Sequence, residues 1–78
     1  MRPCDGDACE YADLQYSGFQ WIAQNFHPTK SIVMEFDGVW GGTSQYVELK
    51  PGEQRVLSFT VFFGNWHANF SKLSRPQP

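Results

Sequence analysis

Apolar side chains recur at every second position along one stretch, Gln54 to Phe63, where Leu57, Phe59, Val61 and Phe63 alternate with Ser58, Thr60 and Phe62. A period of two places the first four on one face of an extended strand. The stretch is rich in β-branched and aromatic residues, the types that suit a pleated surface. Pro51-Gly52 punctuates its start and Gly64-Asn65 its end. The pattern predicts the central strand of the domain, with Phe59 in the core.

Shorter stretches carry the same period. Tyr11 to Tyr16 reads as an edge strand with Ala12 and Leu14 on one face, and Ser17-Gly18 as a turn. Phe19 to Gln24 puts Phe19, Trp21 and Ala23 on one face, and Asn25 to Thr29 breaks it. Ser31 to Phe36 directs Ile32, Met34 and Phe36 inward. Asp37 to Ser44 reads as a glycine-rich loop around Trp40. Gln45 to Leu49 turns Val47 and Leu49 inward, and Lys50-Pro51-Gly52-Glu53 has Pro and Gly where a type II turn wants them. Gly64-Asn65 has the length of a tight hairpin connection. It leads into a last strand, Trp66 to Leu73, with Trp66, Ala68 and Phe70 on one face.

No stretch carries a helical stripe of useful length. Five to six short strands separated by turn signals predict an all-β fold, a small antiparallel β-sandwich or an open barrel. The phrase Val47-Glu48-Leu49-Lys50-Pro51-Gly52-Glu53, followed by a strand, resembles a corner common in small bacterial immunoglobulin-like modules. That resemblance bears on fold and implies no activity. The predicted organisation is an N-terminal arm over residues 1–10, a single sandwich domain over 11–73, and a flexible tail over 74–78.

Composition sharpens this picture in two ways. At 78 residues the chain makes one small domain, and seven Phe, three Trp and three Tyr are its main means of building a core. An exposed large aromatic is therefore an observation that needs a reason. The net charge of −2 argues against a nucleic-acid partner, which wants a basic stripe. The imbalance is local: Asp5, Asp7, Glu10, Asp13, Glu35 and Asp37 face only Arg2 and Lys30 in the first 37 residues, a net −4. No apolar run approaches the roughly 20 residues of a membrane span.

Candidate chemistry is sparse. Cys4 and Cys9, with four residues between them, can close one disulfide, and a bridge there points to an oxidising compartment, secreted or periplasmic. The alternative is two free thiols. Cys4, Cys9, His27 and His67 are the whole soft-ligand supply, and their spacings match no zinc finger. Asp5-Gly6-Asp7 begins like a calcium loop but lacks the later ligands. Neither histidine lies in a nucleophile motif, and strands this short leave little room for a deep pocket. The expectation is no enzyme, no cofactor and no metal.

Trp40 sits among three glycines, where it can serve as a lid on the core or as an exposed platform. If successive strands join by hairpins, Ser17-Gly18, Asp37 to Ser44 and Gly64-Asn65 share one end of the domain. That end gathers Tyr16, Asp37, Trp40, Asn65 and Trp66, aromatics beside polar groups on loops held by a scaffold. The sequence thus predicts a small non-enzymatic binding module. A protein partner is expected at this end, and a carbohydrate stacked on aromatics is the alternative.

Overall fold

A computed structural model of the protein describes residues 4–39, 42–60 and 64–72. Its strands are β1 (Cys4–Asp5), β2 (Ala12–Ser17), β3 (Gln20–Asn25), β4 (Ile32–Val39), β5 (Thr43–Leu49), β6 (Gln54–Val56) and β7 (Trp66–Phe70), with a 3₁₀ turn at Cys9–Tyr11. They form two sheets, β1-β7-β4-β5 and β2-β3-β6, packed together as a small all-β sandwich. Among the described residues no helix is long and apolar enough to cross a membrane.

In the larger sheet β4 and β7 have neighbours on both sides, and the longer of the two, β4, takes the central place expected of the stretch from Gln54. β4 runs antiparallel to β5 and to β7. Its inward residues Ile32, Met34 and Phe36 are fully buried, and Val33, Glu35 and Asp37 take the other face. A bulge between Phe36 and Val39, with Gly38 at φ +70°, inserts one extra residue into the strand. It lets Val39 point inward three residues after Phe36. Leu49 of β5 and Trp66 and Ala68 of β7 complete this layer. Leu14 and Ala23 come down from the smaller sheet, and Leu57 from the residue just after β6.

Four expectations change. Among its described residues, the stretch from Gln54 pairs over three, as the strand β6 at the edge of the smaller sheet against β3. Leu57 extends this contact by donating its backbone N–H to Trp21 O at 2.9 Å. Phe59 is half-buried, its ring 5.2 Å from that of Phe36, while residues 61–63 lie outside the described residues. For Leu57 and Phe59 the period of two gives the inward face; it does not tell whether the backbone has neighbours.

Gly64-Asn65 closes no hairpin, because β6 and β7 belong to different sheets. The predicted loop from Asp37 to Ser44 is mostly strand: β4 continues to Val39 and β5 begins at Thr43, which pairs with Val39. Finally, residues 4–11 do not stand off as an arm. Cys4 and Asp5 pair in parallel with Trp66 and His67. Ala8 is fully buried and donates its N–H to Ala68 O at 2.9 Å. Asp7 accepts from the Phe70 N–H at 2.9 Å. Gly6 makes this closeness possible, since a Cβ there would lie 2.2 Å from Ala68 O. The Cys4–Cys9 disulfide closes this edge segment.

Candidate functional site

The two ends of the sandwich are built differently, and the first is closed by one side chain. Asn25, fully buried at the end of β3, donates through Nδ2 to Lys30 O, Leu49 O and Lys50 O at 2.9–3.1 Å. Its Oδ1 accepts from the His27 N–H at 2.7 Å. A buried amide with all its groups paired is a strong clamp, because each lost bond would leave a desolvated partner. His27 caps the same crossover: its Nδ1 accepts from the N–H groups of Thr29 and Lys30, and its ring lies edge-on to Tyr11 and Phe70. At this end the type II turn also appears as expected, with Gly52 at φ +77° and the Glu53 N–H donating to Lys50 O.

The other end carries the β2–β3 hairpin turn. Ser17 pairs with Gln20, so Gly18 and Phe19 form a two-residue connection, both at positive φ (59° and 67°). Type I′ turns have this signature and match the twist of the flanking strands. Gly18 takes the conformation freely. Phe19 is bulky and takes it at a cost, and its ring is 82% exposed. Tyr16, 52% exposed, pairs with Trp21 across the hairpin, ring centroids 4.8 Å apart. The Trp21 indole N–H donates to Thr60 O at 3.0 Å, which steadies the base of this aromatic group. Along the inward face of the hairpin, burial falls from Leu14 and Ala23 to Tyr16 and then Phe19.

Of the five residues predicted at this end, Tyr16 is exposed at the hairpin and Asn65 is exposed beside β7. Asp37 is half-buried; its backbone N–H donates to Asn65 O and its O accepts from the Gly64 N–H. Trp66 is only 2% exposed and is a core residue, since alternation from His67 turns it inward. It is withdrawn from the contact surface. Trp40 lies outside the described residues. Phe19, assigned inward by period, was missed as a surface residue. The signal that could have found it is the two-residue spacing between Ser17 and Gln20, which makes position 19 a turn centre.

A second group of polar residues lies on the outer face of the four-stranded sheet. The register aligns Asp5, His67, Glu35 and Tyr46 in one row across all four strands. Asp37 follows Glu35 on the same face. His67 Nε2 stands 2.9 Å from Asp37 Oδ2, and Nδ1 stands 3.7 Å from Asp5 Oδ2. The hydrogen bond to Asp37 is the main reason the His67 pKa is raised, with the charges of Asp37, Glu35 and Asp5 adding to it against burial. The same bond holds the Asp37 carboxyl below the usual carboxylate range, helped by the Ser44 hydroxyl that donates to it. The charge on Glu35, then a hydrogen bond with it, raises the Tyr46 phenol.

Both cysteines are consumed by their disulfide, so the soft-ligand set of Cys4, Cys9, His27 and His67 is not assembled. Comparisons with protein-family models, with curated proteins and with solved structures find no match for the chain.

Proposed function

We propose that the protein is a small non-enzymatic binding module that takes a protein partner at the tip of the β2–β3 hairpin, with Phe19 as anchor and Tyr16 beside it. The observation that carries this reading is Phe19 itself. A non-glycine residue in the left-handed region costs about 1–2 kcal/mol, and an exposed phenyl ring returns nothing to folding. Asparagine or glycine would serve the turn better. Other aromatics are exposed too, Tyr11, Tyr16, Phe26 and Tyr46 among them, but Phe19 is the most exposed of these and the one that also sits at a strained, positive-φ turn, a placement that does not optimise stability. Aromatic residues held on a rigid element are the usual anchors of protein interfaces.

A protein partner is preferred to a carbohydrate by geometry. The Tyr16 and Trp21 rings are inclined at 57°, so they offer no flat platform for a sugar ring. Trp21 also turns its indole N–H to the chain's own Thr60.

The test is site-directed photo-crosslinking in extract of the source cell, with the probe at position 19 and, as a control, at the exposed outer-face position Gln15. Discrete protein adducts at 19 that are absent at 15 support the reading. Equal labelling at both positions, or specific binding on a glycan array abolished by Phe19→Asn, overturns it.

A further inference from the structure

The row on the outer face of the four-stranded sheet is independent of the hairpin tip, and its chemistry is different. Among the described residues, Glu35, Asp37 and His67 form a trio whose ligating atoms all lie within 4.8 Å of one another. We propose that this trio binds a first-row divalent cation of the zinc type, with Asp5 behind the imidazole.

Three features carry this. The first is spacing. With metal–ligand lengths near 2.0–2.2 Å for His nitrogen and carboxylate oxygen, adjacent ligand atoms sit about 3 Å apart. His67 Nε2 and Asp37 Oδ2 stand at 2.9 Å as a hydrogen-bonded pair, and a bound cation would take the place of the proton they share, releasing it to solvent. Glu35, from the neighbouring outward position, closes the third corner by a side-chain rotation. Three protein ligands then leave the remaining positions to water.

The second is charge. Asp5, Glu35 and Asp37 bring three carboxylates to one histidine. Like charges gathered on one sheet face repel. Among the described residues no Lys or Arg forms an ion pair with any of them; Arg55 is engaged with Glu53. Even with a charged imidazolium the group stays negative, and a divalent ion is the counter-charge that it lacks.

The third is support. Ligating histidines commonly turn their second nitrogen toward a carboxylate, which orients the ring and raises its basicity. Asp5 lies on that side of the ring, its Oδ2 3.7 Å from Nδ1, so it acts there through its charge and not through a hydrogen bond. Ser44 donates to Asp37 Oδ1, the carboxylate oxygen that Nε2 does not use. The β4 bulge at Gly38 follows Asp37, as bulges do where a side chain is re-aimed. Gly64 is a further condition: a Cβ there would lie 2.8 Å from Asp37 Cβ and push the carboxylate away. One imidazole with two carboxylates and no thiolate suits zinc, manganese or nickel, and the nitrogen ligand disfavours calcium and magnesium.

The experiment is a Zn²⁺ titration of the full chain with its disulfide intact, read by calorimetry and by NMR of both histidine rings. One equivalent is expected to bind, with the shift at His67 and not at His27. His67→Gln and Glu35→Gln should each abolish the transition, with circular dichroism confirming the fold. Asp5→Asn, which keeps the ligands and removes one nearby charge, should weaken binding less than either ligand substitution. No saturable binding of Zn²⁺, a shift centred on His27, or Zn²⁺ affinity unchanged in Glu35→Gln overturns the site. So does Ca²⁺ bound as tightly as Zn²⁺ and indifferent to His67→Gln, which would make it a plain acidic sink.

Discussion

The two ends of this sandwich use their residues for opposite purposes. At the Asn25 end, polar groups are buried and paired across the sheets, and one amide gathers three carbonyls from Lys30, Leu49 and Lys50. At the Phe19 end, an apolar ring is exposed and its backbone is strained. Each end breaks the simple rule of apolar inside and polar outside. The first exception stabilises the fold, because every donor and acceptor of Asn25 has a partner in a dry place. The second costs stability and has no folding rationale, which makes it the better pointer to function.

That contrast can be broken most severely at Asn25. Asn25→Ala should destabilise the domain by about 3 kcal/mol, since it strands the buried Leu49 carbonyl together with the part-buried Lys30 and Lys50 carbonyls and the His27 N–H. Urea unfolding measures it; a loss under about 1 kcal/mol would mean that the clamp is ornamental. Opening the N-terminal edge should come next. Cys9→Ser frees a very short loop, so the entropic loss is about 2 kcal/mol. Amide exchange should then speed up first at Ala8 and Phe70, whose N–H groups bond across that edge. Exchange unchanged there would restore the picture of a dispensable arm.

The other end predicts a change of opposite sign. Phe19→Asn should stabilise by about 1 kcal/mol, because asparagine tolerates the left-handed region, and raise the melting temperature by about 4–8 °C. A lowered melting temperature would show that the ring supports the fold. The smallest effect lies at the turn beside the clamp. Glu53 is held below the usual carboxylate range first by the Lys50 backbone N–H and then by Arg55. Its folded pKa is therefore lower than its unfolded one. Its stabilisation is complete above the ordinary glutamate range and is lost as pH falls through the folded value. Glu53→Gln should flatten that part of the acid limb in a series of melts against pH.

Much of the fold was legible because alternation is a local property. Ile32, Met34 and Phe36 read as inward from their spacing alone, and each is fully buried. The type II turn at Lys50 to Glu53 and the Cys4–Cys9 bridge follow from residue type and distance along the chain. The all-β class follows from the lack of any helical stripe. Strand neighbours were a different matter. The stretch from Gln54 alternates well but lies at a sheet edge, because pairing depends on which segments meet in space and not on the pattern within one of them. The N-terminal segment looked like an arm for the same reason: its parallel register with β7 joins residues about sixty positions apart. In sequence, His67 stands only beside Cys4, Cys9 and His27 as a possible soft ligand, at spacings that match no zinc finger. Only the register that aligns Asp5, His67 and Glu35 across three strands turns it into a candidate ligand. Local sequence determined which faces are apolar; tertiary contact alone decided which strand is central, which edge is covered and which acids meet the histidine.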